Sequence, residues 1–152
     1  ENGPGRAEGW TCNTPVVLAW RPDTGKHTSN YIDDAHWKDS ISEAGYKQME
    51  RLSLGDWNQS RWMGLMDAAR AFAEDSGLLA DSSRTELLST ADEAIGVCGT
   101  AVEAAALLCM LGESVVILPT NPEDEGEGFS TLVSELKRAG LEAILTRVGK
   151  LS

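Results

Sequence analysis

Positive charge is the scarcest property of this sequence. Across 152 residues, 13 Lys and Arg stand against 24 Asp and Glu, a net charge of −11. A protein that tracks a phosphate backbone needs a clustered basic face, so nucleic acid is excluded as a partner, and an anionic membrane surface is disfavoured for the same reason. Long apolar runs are lacking too: no stretch approaches the roughly 18 consecutive apolar residues of a spanning helix. The opening residues, ENGPGRAEGW, carry neither the basic start nor the apolar core of a secretory signal. Cysteine is limited to Cys12, Cys98 and Cys109, which cannot all pair internally and have no ligand-type spacing to His27 or His36. These absences point to a reduced, cytoplasmic, acidic soluble protein with no membrane contact, no metal and no cofactor.

What is present is enough chain for a single domain with a substantial core, since domains of about 100 to 150 residues bury roughly two thirds of their unfolded surface. Residues 1–14 are rich in Gly, Asn and Thr without an apolar period, which predicts an irregular N-terminal arm ahead of one α/β domain over 15–152. PVVLAW at 15–20 reads as a strand buried on both faces. Ser40 and Glu43 have capping-box spacing and open a helix over 41–52, with Ile41, Gly45, Met49 and Leu52 on one face. A second helix carries Trp62, Leu65, Met66, Ala69, Phe72 and Ala73 at helical intervals and stops at Gly77, and a shorter one follows near 84–89.

From there the pattern alternates: strand 93–98, helix 101–111, strand 114–118, helix 130–139 and strand 142–147. Apolar strands separated by helices imply βαβ units with both sheet faces covered. The fold predicted from this pattern is a three-layer α/β/α, Rossmann-like sandwich with a mainly parallel sheet.

In that arrangement Gly99 and Thr100 lie between the C-terminal end of a strand and a helix N-terminus, where free amides and the positive end of the helix dipole suit phosphates and ribose hydroxyls. Glu103 follows in the first helical turn, placed to accept from a diol. Thr120 and Asn121 open an acidic, glycine-containing loop after the next strand, at the sheet edge where open α/β folds bind ligands. Thr100 and Glu103 also form a capping box, which needs no ligand.

The stretch RTELLSTADEAIGVCGTAVEAAALLCMLGESVVIL, together with GLMDAARAFAEDSG and FSTLVSELKRAGLEAIL, resembles the LOG-like (lysine-decarboxylase-like) Rossmannoid family over roughly residues 64–145. The shared pattern is an Arg ahead of a strand, then G-T-x-x-E and a helix. Val97 and Cys98 stand where that family has a run of glycines. The resemblance implies a nucleoside-monophosphate pocket built across a dimer, with Arg84 and Glu103 as catalytic groups at an N-glycosidic bond, a hydrolase or transferase, and Gly99, Thr100, Thr120 and Asn121 as ligand contacts. G-T-x-x-E after a strand also occurs in nucleoside deoxyribosyltransferases and in the sugar-nucleotide half of GT-B glycosyltransferases.

The missing glycines favour another class, a non-enzymatic module that works through oligomer or partner contacts. Cys98, at a strand end before a helix, is a candidate nucleophile if the dipole lowers its thiol pKa, although free cysteines are more often simply buried. The segment 21–37 gathers Asp23, His27, Asp33, Asp34 and His36 in one long loop without metal spacing. Five tryptophans are more than such a core requires, and Trp10, Trp20 and Trp37, in or beside loops, could mark an interface.

Overall fold

A computed structural model describes residues 9–22, 35–109 and 113–149. The elements run β1 (Pro15–Trp20), α1 (Ala35–Leu52), α2 (Trp62–Asp75), α3 (Ser82–Cys98), β2 (Ala104–Leu108), β3 (Ser114–Pro119), α4 (Phe129–Arg138) and β4 (Glu142–Arg147). Short 3-10 turns stand at Gln59–Arg61, Leu78–Ala80 and Gly99–Ala101. The sheet order is β2-β3-β1-β4, and every neighbouring pair is antiparallel. Strands β1 and β2 bracket β3, while β3 and β4 bracket β1. Two split β-α-β units therefore interlock in the ferredoxin-like manner, with three helices among the described residues of the first connection.

This α+β architecture overturns the parallel, Rossmann-like sandwich expected from the sequence, and the error sits in one stretch. Residues 93–98, expected as a strand, are the last turns of α3, and 104–108, expected within a helix, form β2. Helix α3 buries Arg84, Leu87, Ala91 and Ala94, a continuous period of three to four residues that runs through the stretch read as a strand. It stops at Gly99, whose φ of +59 a residue with a side chain adopts only under strain. Only residues 109–113 then separate β2 from β3. A parallel crossover needs about a dozen residues or more, so the two strands must form an antiparallel hairpin.

Two apolar layers cover the sheet. On one face, Val17, Ala19, Ala106, Val115, Ile117 and Ala143 meet Leu87, Ala91 and Ala94 of α3 and Phe129, Leu132 and Leu136 of α4. On the other face, Ala105 and Leu107 meet Trp62 and Met66 of α2, with Trp10, Cys12, Val116 and Leu118 half-buried beside them. Residues 9–14 lack regular structure, yet they pack: Thr14 is buried and donates its hydroxyl to the Pro122 carbonyl at 2.8 Å.

Helix α1 packs on α2 rather than on the sheet. Its inward residues are Ala44 and Gln48, whereas Met49, expected on the buried face, is exposed. Between these two neighbours, α2 buries Trp62, Met66, Ala68 and Ala73 and half-buries Leu65 and Phe72. Ala69, expected in the core stripe, is exposed because its helical position falls in the seam between the sheet contact and the α1 contact. Asp23, His27, Asp33 and Asp34 lie outside the described residues; His36 is exposed at the start of α1 and Trp37 is half-buried beside Gly77.

Candidate functional site

Five of the six expected site residues come together at one end of the sheet. Gly99 and Thr100 form the turn from α3 into β2, and the Gly99 carbonyl accepts the Val102 amide at 3.2 Å. The Glu103 carbonyl accepts both the amide of Thr120, at 2.9 Å, and its hydroxyl, at 3.2 Å. Asn121 turns the chain next, its Oδ1 accepting the Glu123 amide at 3.0 Å. The acidic loop then folds back so closely that a Cβ on Gly128 would strike the Ala101 carbonyl oxygen, which is why glycine stands there.

The electrostatics of this end differ from expectation. Gly99 and Thr100 follow a helix C-terminus instead of preceding an N-terminus, so the dipole presents its negative end. Glu103 lies in extended chain and forms no capping box with Thr100. Arg84 is on the first turn of α3, about 20 Å from Gly99 at 1.5 Å rise per residue. The structure does not bring it to Glu103. It is 1% exposed, donates to the Leu78 carbonyl at 3.5 Å and lies 3.9 Å from Asp81, holding the Leu78–Ala80 turn against α3. Beside the acidic loop, a polar cleft of about 290 Å³ is lined by Cys12, Asn13, Gln59, Pro122, Glu123, Asp124, Glu125 and Arg147. Its guanidinium is engaged with the Asn13 carbonyl and with Glu125.

Cys98 also departs from expectation. It is the last residue of a helix, and burial together with Glu135 pushes its thiol pKa up, the reverse of an activated nucleophile. Among the described residues no group of three His, Cys, Asp or Glu side chains is placed to hold a metal ion, and no helix is long and apolar enough to cross a membrane.

A second concavity follows the outer edge of β2. This groove, of about 280 Å³, is walled on one side by Arg70, Ala73 and Glu74 of α2 and on the other by Leu88 and Asp92 of α3, with Leu79 at the link between the helices. Its floor is Ala106, Leu107 and Leu108. The hydrogen-bond ladder fixes what that floor offers. The Cys109 amide bonds to Ser114 and the Thr120 amide to Glu103, each at 2.9 Å. In an antiparallel ladder hydrogen-bonded pairs alternate, so residues 103, 105, 107 and 109 face β3. Ala104, Ala106 and Leu108 therefore turn their amides and carbonyls away from β3, toward the groove, and β2 has no second strand beside it among the described residues.

Charge lines this groove asymmetrically. Burial pushes the Asp92 carboxyl up, and the Arg70 guanidinium across the groove pulls it part of the way back. Neither side chain has a salt-bridge partner among the described residues. Sequence reasoning missed this site because Asp92 sits beside a stretch read as a strand and Ala106 inside one read as a helix. The available signal was the period linking Arg84, Leu87, Ala91 and Ala94, which puts Leu88 and Asp92 one turn apart on a neighbouring face.

No protein-family model matches the sequence, and no curated protein does. Among solved structures the chain is similar to the phosphomevalonate kinase of Streptococcus pneumoniae, at 15% identity and a TM-score of 0.50. The match covers 92% of this chain and 42% of the kinase chain, so the sequence spans less than half of that protein's length. At this identity the likeness bears on the fold alone.

Proposed function

We propose that this domain is a protein-interaction module that receives an extended peptide segment as a fifth strand along β2. One observation carries the reading: the outward amides of Ala106 and Leu108 lie at the bottom of a groove between two helices. Main-chain hydrogen bonds would give such a peptide its affinity, and the helical walls would select its alternating side chains. An edge strand whose outward amides and carbonyls are not taken up by the sheet is a ready template for a further strand.

Amide hydrogen exchange tests this directly. Peptides are selected from a displayed library of random linear sequences and added to the labelled protein. In the free protein Ala106 and Leu108 exchange quickly while Ala105 and Leu107, bonded to β3, exchange slowly. On binding, Ala106 and Leu108 become protected. Leu108→Pro removes one outward amide at a position where an edge strand tolerates proline, and weakens binding about fivefold, the equivalent of one hydrogen bond of about 1 kcal/mol. Selected peptides that bind while both outward amides continue to exchange as in the free protein would refute strand addition.

A further inference from the structure

Resting on that strand-addition reading, we infer that the groove selects its peptide by charge, taking a strand in which an acidic and a basic residue are adjacent. In a strand, successive side chains point to opposite faces of the sheet. Ala105 and Leu107 face the α2 side and Ala106 faces the α3 side. An incoming residue opposite Leu107 therefore points to the α2 wall, and its sequence neighbour points to the α3 wall. On the α2 wall stands Arg70, with Glu74 one turn further on; on the α3 wall stands Asp92.

A carboxylate directed at Arg70 and an ammonium or guanidinium directed at Asp92 would each gain a charge-assisted partner in a setting less hydrated than bulk water. The same arrangement rejects other patterns. An apolar residue at either position leaves a groove charge partly desolvated and unpaired, and a like charge is repelled. The apolar side chains of Leu79, Leu88 and Leu108 supply contact area between the charges but do not discriminate among peptides. The excess of acid in the whole chain, −11, adds a general bias toward basic peptides, which is screened by salt, whereas the paired selection acts at contact range and is screened less.

The test compares peptides selected by the wild-type protein with those selected by Arg70→Glu and Asp92→Lys, both exchanges at exposed helical positions. Wild type enriches adjacent acid and base. Arg70→Glu makes both walls acidic and enriches two adjacent basic residues; Asp92→Lys enriches two adjacent acidic ones. A synthetic acid–base peptide binds either variant about tenfold more weakly than wild type. If all three proteins select the same charge pattern while Ala106 and Leu108 are still protected, charge selection is wrong and strand addition stands. If the selected peptides leave those two amides unprotected, the underlying reading fails instead. A protein that self-associates through β2, with concentration-dependent protection of Ala106 and Leu108 and no peptide selected, overturns both in favour of a second copy as occupant.

Discussion

The two faces of the sheet are built to different standards. Against α3 and α4, Leu87, Ala91, Ile117, Leu132 and Leu136 are all sealed from solvent, and small residues alternate with large ones across the interface. Against α2, four residues are buried and their neighbours Trp10, Cys12, Val116 and Leu118 are only half covered. The first face joins helices from both split β-α-β units, so it forms only when the whole topology is in place. The second depends on one helix, the N-terminal arm and the packing of α1 behind them. Stability is expected to reside in the first face and adaptability in the second.

Leu132→Ala tests the first face and should have the largest effect, about 2 to 5 kcal/mol by denaturant unfolding, because a sealed core cannot relax into the cavity. Met66→Ala on the second face should fall at the low end of the same range, about 2 kcal/mol, since half-covered neighbours can settle into the space. Equal losses at the two positions would abolish the distinction. Trp62→Phe sharpens it by removing a buried hydrogen bond, the indole Nε1 to the Pro119 carbonyl at 2.8 Å, together with the five-membered half of the indole; at least about 1 to 3 kcal/mol is expected from the stranded carbonyl alone. Leu65→Ala, half-buried, should cost about 1 kcal/mol.

The outermost layer should respond least. Lys47 pairs with Asp75 at 2.7 Å to hold α1 on α2, and this hydrogen bond is the main reason the Asp75 pKa lies below its ordinary value. A carboxyl depressed in the folded state contributes stability that is present above its unfolded pKa and lost as pH falls through the folded one. Lys47→Ala should therefore lower stability slightly at neutral pH and leave it unchanged at low pH, which flattens the acid limb of the unfolding curve. Asp92 has the opposite sign: its pKa is raised, so its ionised form opposes folding. Asp92→Asn should stabilise slightly at neutral pH, with the gain vanishing as pH falls below the unfolded Asp value.

The candidate groove was less legible in the sequence than the fold. The cluster of Gly99, Thr100, Glu103, Thr120 and Asn121 could be anticipated as neighbours because they flank strands that pair. Their electrostatic setting could not, because it depends on whether a helix begins or ends at Gly99. The groove itself is composed of ordinary residues, an Arg, a Glu, an Asp, and several Leu and Ala, which acquire meaning only when α2, α3 and the edge of β2 converge.

By itself the sequence determined the acidic surface, the strands at 15–20, 114–118 and 142–147, and the helix whose apolar residues Phe129, Leu132 and Leu136 repeat at helical spacing. Each of these has a period, a cap or a turn residue that acts locally. Ala104–Leu108 has none: AAALL favours a helix by intrinsic propensity, and a short apolar run has no periodicity to oppose it. Only the tertiary structure decided that it is a strand. Ala105 and Leu107 are needed on one face of the sheet and Ala106 on the other, an alternation that a helix cannot supply. The short connection to β3 then makes the sheet antiparallel and leaves β2 at its edge, because strand pairing is a long-range interaction that local sequence does not encode.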